Sequence, residues 1–457
     1  MRLLLLLLFP ISILAQDLDN TLSFADYIDL VKTEHPLAKQ ANLKVDEGNA
    51  NLTKARGGFD PKLEGDFNTK EFENKQYYDQ LNAKFKVPTW YGVELQAGFE
   101  ENSGIFLNPE NNVPNNGLYS AGVSASLGQG LFINKRMADL KKAKAYQNQT
   151  LAERELLVNT IIFEASLTYF KWNQAFENLK VYQSFLENAT FRFTGIKKQV
   201  LVGDKAPVDS LEALIIVDSR KLQLEQAKIE YNTSTLEVSN YLWLKNTPIE
   251  IKETINPLEV NETNFNKVLN NEITNLDVTN HPKIRALYFK TQALEVDRKL
   301  KANKLLPKID VAYNFVTQQP EQVNTFYNTN YKAKIGVAFP LFLRKERGDL
   351  KLAKIKLDAI KFDTKTTSLS IENKVKALTF EVENYKNQVV LIENIAINYQ
   401  ALLTAEERKF DLGESAIFLV NSREKSLIDA KIKVNSLINK YLSTKAKLYN
   451  SLGTISQ

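Results

Sequence analysis

Cysteine is absent from the 457 residues and only two histidines occur, His35 and His281. That removes thiol nucleophiles, thiolate metal sites, haem attachment and most imidazole chemistry, and it leaves carboxylates and lysines to carry any catalysis. The carboxylates are scattered and form no paired acid-base motif. Each histidine directly precedes a proline, Pro36 or Pro282, which reads as helix punctuation rather than proton transfer. The sequence therefore argues against an enzyme and predicts no cofactor and no metal site. The acidic residues that stand out do so by position, because Asp204 and Asp209 lie at one glycine turn and Asp411 and Glu414 at another. As residue types they suit helix caps or solvated surface charge.

Charge excludes a second class. The net charge of +5 is small for this length, and basic residues alternate with acidic ones, so no footprint for nucleic acid stands out. With 44% hydrophobic and 25% charged residues the composition is that of folded protein.

The elements that must position those turns are two long rods. Val158, Ile161, Ala165, Trp172, Ala175, Leu179, Tyr182, Leu186, Ala189, Phe193, Ile196 and Val200 keep a three-four spacing, with Thr168 the polar member, which is a heptad seam. No proline interrupts Asn134 to Val200, so the segment predicts one helix of 67 residues, about 100 Å at ~1.5 Å per residue. Moving forward 210 residues, Val375, Leu378, Val382, Tyr385, Val389, Ile392, Ala396, Tyr399 and Leu403 repeat the rhythm. Further apolar positions such as Phe163, Phe170, Phe176, Phe185 and Phe191 make the first rod sticky on more than one side. Helices with two seams close into tubes, whereas a single seam gives a coiled-coil stalk.

The halves are a duplication. His35-Pro36 and Pro61 recur 246 residues on at His281-Pro282 and Pro307, while Leu131-Phe132, Asp139-Leu140-Lys141 and Gly203 recur 210 residues on at Leu341-Phe342, Asp349-Leu350-Lys351 and Gly413. The sequence divides as 1–15, 16–245, 246–280 and 281–457: a cleaved signal, a first repeat, a polar connector with at most short helices, and a second repeat. Met1-Arg2, an apolar run from Leu3 to Phe9 and a small-residue end at Ala15 carry the signal reading, and no segment reaches the roughly 20 apolar residues a spanning helix needs. No cysteine follows the expected cleavage point, which excludes an acylated cysteine anchor. Helices are expected over Leu22 to Glu34, Leu37 to Arg56 and Val208 to about Lys245.

Between the second helix and the rod, period-two runs predict strands at Leu63 to Lys70, Leu81 to Val87, Tyr91 to Phe99 and Tyr119 to Leu127, with a long exposed loop from Glu101 to Gly117. The second copy has two, Ile309 to Phe315 and Tyr331 to Phe339. The first copy thus carries about one hairpin extra. Alternation with flanking aromatics (Trp90, Tyr91, Phe99, Tyr119, Phe132, Tyr313, Phe326, Tyr327, Tyr331, Phe342) fits membrane-spanning strands with interfacial girdles, or else a soluble sheet with one wet face. A sheet in lipid must close, and six strands do not easily close around a channel alone, so several chains must share a barrel.

Signal, duplicated helix-strand-rod-helix halves, paired histidine-proline starts and the glycine turns at Val202-Gly203 and Leu412-Gly413 resemble the TolC-type outer-membrane efflux protein family over nearly the whole mature chain. The resemblance implies an α+β membrane protein: a homotrimer with a shared β-barrel in outer-membrane lipid and a long-helix α-barrel extending into the periplasm. It implies the exit duct of a tripartite efflux pump or type I secretion system, with a periplasmic adaptor and an inner-membrane transporter of the RND or ABC type as partners. Val202, Gly203, Asp204, Leu412, Gly413 and Glu414 would be the tips that meet the adaptor, and Asp204, Asp209, Asp411 and Glu414 candidates for a tunnel gate. The family pattern has two strands per half, so the extra hairpin around Leu81 to Phe99 either widens the barrel or lies outside it. The alternative function is a structural or adhesive outer-membrane stalk.

Overall fold

The computed structural model describes residues 20–269, 277–321 and 327–453. The expected signal, Phe326 and parts of the connector and of the loop before Tyr331 lie outside the described residues. Strand β1 (Thr21–Leu22) and helices α1 (Phe24–Glu34) and α2 (Pro36–Arg56) lead into β2 (Lys62–Phe72), β3 (Lys75–Pro88), β4 (Val93–Ser103) and β5 (Leu118–Gly128). The rod α3 (Lys135–Leu201) and α4 (Pro207–Ser239) follow, then β6 (Trp243–Leu244), β7 (Thr247–Pro248), β8 (Asn256–Pro257) and α5 (Glu262–Val268). The second repeat runs α6 (Pro282–Asn303), β9 (Lys308–Thr317), β10 (Tyr331–Ala338), the rod α7 (Arg344–Asp411) and α8 (Ile417–Leu452). Both rods match the expected segments to within a residue or so. No helix among the described residues is long and apolar enough to cross a membrane.

The chain forms two compact units, and each draws on both repeats: residues up to 41, 155–277 and 371 onward make one, and 42–154 with 278–370 the other. In the first unit the core gathers Phe24, Tyr27, Ile28 and Val31 of α1 against Ile161, Ala165, Tyr169, Phe170 and Trp172 of α3 and Phe265 of α5. Phe24 meets three rings at 5.1 to 6.2 Å. The Tyr169 hydroxyl donates toward Leu22 O (2.7 Å) and Leu258 O (2.9 Å), bracing a short parallel pairing of β1 with β8. Pairings of two residues carry no readable periodicity, so the connector is more ordered than its composition suggests. Helix α4 also stops earlier than expected, at Ser239, because Lys245 and Asn246 turn with positive φ and pair β6 with β7.

Both histidines sit at helix starts. His35 Nδ1 accepts from Leu37 N (3.3 Å) and its ring stacks on Tyr241 at 5.4 Å, while His281 Nδ1 accepts from Lys283 N (3.1 Å). The acceptor must be unprotonated, and burial holds His35 below the usual histidine range. An unfolded ring takes up its proton near pH ~6.5, so the fold keeps this contribution above that value and loses it as pH falls through the lower folded value. Thermal unfolding followed by circular dichroism should weaken on acidification from about pH 7 to 5. His35→Asn, which keeps a short polar acceptor, should lose part of that pH dependence.

The second unit holds a six-stranded antiparallel sheet in the order β10-β9-β5-β4-β3-β2. All the strands expected from alternation are present, and the extra hairpin is part of the same sheet: β3 pairs with β2 on one side and β4 on the other.

Candidate channel wall and helix tips

Strand pairing fixes which residues share a face. Register pairs odd-numbered residues with odd in all five ladders up to the bulge between Lys70 and Glu71, for example Ala83↔Phe99, Ala97↔Ala121, Ala121↔Phe315 and Tyr313↔Ala333. One face therefore carries Leu63 and Phe67; Leu81, Phe85 and Val87; Val93, Leu95 and Phe99; Val123 and Leu127; Ile309 and Val311; Ile335 and Val337. The other carries Glu64, Asp66, Lys84, Lys86, Glu94, Gln96, Glu100, Ser124, Ser126, Asp310, Lys332 and Lys334. The first face thus carries an apolar band that ends at Asp79 and Glu101, and the second is charged, the alternation of a strand set between lipid and water.

The polar face is cross-linked by its own side chains. Gln96 Nε2 donates to Asn314 Oδ1 at 2.7 Å over the intervening strand, at the place where Gly122 has no side chain and a Cβ would collide with Asn314. Lys332 pairs with Glu100 at 2.9 Å, Lys86 with Glu64 at 2.6 Å, and Ser126 donates to Asp310 at 2.9 Å. Aromatics collect at both strand ends. Trp90 stacks on Phe59 at 5.6 Å beside exposed Tyr91, Phe132 and Phe342; at the opposite ends Tyr77 meets Phe106 at 4.6 Å and Phe99 meets Tyr119 at 4.7 Å. The turn from Thr89 to Gly92 is fastened to the start of α3 by Asn134 Nδ2, which donates to Trp90 O (3.1 Å), and by the Arg136–Glu94 pair at 2.6 Å.

The two glycine turns have one construction. Gly203 (φ +81°) and Gly413 (φ +78°) end α3 and α7 in left-handed backbone; the next residue's N–H returns to the helix, Asp204 N to Gln199 O (2.9 Å) and Glu414 N to Lys409 O (2.8 Å). Leu201, Val202, Leu412 and Phe418 project into solvent, with Val202 80% exposed. Behind them Ile196, Ala213 and Ile417 pack with Phe193, Val200 and Phe410, and Lys205 Nζ lies 4.1 Å from the Phe410 ring centre. The turns thus come together as one tip.

The four acidic residues singled out by position do not converge on a shared partner. Asp204, Asp411 and Glu414 are exposed and Asp209 is half-buried in the first turn of α4, where a carboxylate suits the helix dipole. The buried charge lies further in, at residues sequence reasoning passed over. Glu424 of α8, with no exposed surface, accepts from Arg192 of α3 and Arg220 of α4, both at 3.3 Å; Arg192 also reaches Glu407 of α7 at 3.1 Å. Three helices meet at this carboxylate, and α7 joins them through Arg192. The signal was available: Arg220 continues the buried seam Ala213–Val217, and Glu424 sits between Val420 and Leu427 in another.

Residues 276–454 match the family model described as outer membrane efflux protein. The second repeat is thus similar to the outer membrane efflux proteins. Solved structures with the same fold include the Campylobacter jejuni CmeC outer membrane channel (13% identity, 95% of this chain and 86% of that one, TM-score 0.65). They also include the open-state Neisseria gonorrhoeae MtrE outer membrane channel (13%, 94% and 88%, 0.68) and the Vibrio cholerae outer membrane protein VceC (13%, 94% and 96%, 0.66). No curated protein sequence matches. The family match covers the second repeat, while the fold likeness runs through both repeats, so this chain has the long helices and antiparallel strands of the efflux-channel fold throughout.

Proposed function

We propose that this chain is the outer-membrane exit duct of a tripartite efflux pump or type I secretion system: a passive channel, not an enzyme. The observation that carries the reading is the six-stranded sheet with one apolar and one charged face, open at both edges. Helix α7 adds a second unpartnered surface, since Leu369, Phe380, Leu391 and Leu402 recur every eleven residues on one exposed face. Both surfaces suit copies of the same chain, assembled as a homotrimer spanning the outer membrane and entering the periplasm. The exposed apolar side chains of the tip, Leu201, Val202, Leu412 and Phe418, give a periplasmic adaptor its contact, and an inner-membrane transporter of the RND or ABC type supplies the energy.

Purified protein should run as trimers in detergent and conduct in planar bilayers; a monomeric, water-soluble mature chain overturns the reading, and trimers without conductance favour a stalk. Gly203→Val with Gly413→Val tests the tip. Left-handed backbone costs a side chain about 1–2 kcal/mol per position, yet open space surrounds both glycines, so trimers should persist while efflux or secretion is lost. Undiminished transport by the double variant would remove the tip from the coupling mechanism.

A further inference from the structure

The sheet's two edges have a definite complement. Six strands is an even number and every neighbouring pair is antiparallel, so β2 leaves the helix-bearing end of the sheet while β10 returns to it. A rotated second copy therefore presents β10 to β2 as an antiparallel neighbour. Both edges are unpaired among the described residues, and their apolar side chains are among the most exposed, with Leu63 at 80% and Ile335 at 75%. In lipid such edges leave backbone groups unsatisfied.

Resting on the trimeric reading above, we propose that β2 of one copy pairs with β10 of the next, Lys62 to Thr69 facing Ala338 to Tyr331, so that three copies of the six-stranded sheet close as one barrel of eighteen strands. Three observations select this register. The apolar set is odd-numbered in both strands, so only pairings of odd with odd keep one face dry. All of β10 then lies against the regular part of β2 and stops short of the bulge between Lys70 and Glu71. Side chains complement as well: Asp66 faces Lys334, Gly65 faces Ile335 and Phe67 faces Ala333. Sliding to the next face-preserving register one way sets Lys70 against Lys332. Sliding the other way runs Val337 onto Pro61, which has no N–H to give.

The first hairpin belongs to the wall because its apolar positions continue the band, Ala83↔Phe99 beside Gly65 at one level and Leu63↔Phe85↔Ala97 below it, with Glu101 beside Leu81 marking the band's outer limit. The charged face of β2 and β3 continues the polar lining in the same way, through the Lys86–Glu64 pair and the Asn82–Asp66 hydrogen bond at 3.0 Å. Barrels of about 16–18 strands enclose an aqueous channel, so the added strands enlarge the exit.

The native chain has no cysteine, which permits a direct test on the full-length protein in outer membranes. Asp66→Cys with Lys334→Cys, and independently Glu64→Cys with Gly336→Cys, should oxidise to covalent dimers and trimers on non-reducing denaturing gels, while each single variant yields at most a dimer. Ser124→Cys with Ala312→Cys, opposite each other within one sheet, is the control for strand reactivity and should close within a monomer. Covalent ladders from Gln96→Cys with Lys334→Cys instead would make β4 the edge and place the first hairpin outside the barrel, overturning the proposal. Trimers that conduct, with a reactive control and no ladder from either seam pair, overturn the seam and leave the duct standing. Absence of both trimers and conductance overturns the two together.

Discussion

Glu424→Ala should loosen the tip end of the first unit more than any other single truncation there. The carboxylate is completely buried and accepts from two guanidinium groups at 3.3 Å, so its removal leaves Arg192 with Glu407 and a 3.5 Å contact to Asn421 Oδ1, and Arg220 with Gln223. Breaking a buried ion pair by deleting one partner costs about 3–5 kcal/mol, because the remaining charge is still desolvated. Chemical denaturation of the purified protein should show that loss, and protease should cut earlier near the glycine turns. Replacing the whole set with apolar residues, Arg192→Met, Arg220→Met and Glu424→Leu together, should recover most of it. If Glu424→Ala melts like the parent, the cluster is solvated and contributes little.

Ala165→Glu should be comparably severe in the other core of the same unit. Ala165 is fully buried among Tyr27, Ile161, Tyr169 and their neighbours. A carboxylate there has no cation within the cluster, and burying an unpaired charge costs several kcal/mol against a total stability of about 5–15. Ala165→Gln separates bulk from charge. Burial raises a carboxyl's pKa, so the glutamate variant should be least impaired at low pH and lose stability as pH rises through the folded value, while the glutamine variant shows no such trend. Yield of membrane-assembled oligomer at about pH 5 and 8 reads both effects. Equal yields for the glutamate variant and its parent would mean that this seam faces water.

What could be read in advance follows the range of the physical signal. Both rods were legible because a heptad seam sustained over tens of residues has few alternatives, and the strands because odd-numbered apolar residues alternate with polar or small ones in every run. His35 and His281 were legible as punctuation, though not that the ring nitrogen itself is the cap. Membership of the extra hairpin was not, since alternation states which face is dry and not which strand lies alongside; the Leu81↔Glu101 and Phe67↔Leu81 pairings supply that. The short β1–β8 ladder was invisible, being two residues long with its partner far along the chain. Glu424 was missed for a different reason. Acidic residues near the turns drew attention by position, whereas this one declares itself only as a charge where the seam calls for an apolar side chain.

The bracing of β1 by Tyr169 bears on how the chain comes to its native state. Thr21 pairs with Asn256, roughly 235 residues further on, and the hydroxyl that holds the pair donates toward Leu22 on one side and Leu258 on the other. A polypeptide made from its amino end presents Phe24, Tyr27 and Ile28 early, long before the segment that pairs with β1 has been made. Closing a loop of that size has a length-dependent entropy cost of about 5 kcal/mol, which must be met before the pairing contributes anything. The amino-terminal helix therefore completes its packing only against distant segments: β1 needs residues 256 to 258, and the core around Phe24 and Tyr27 also needs Leu442, Ala446 and Tyr449 of α8, which come later still.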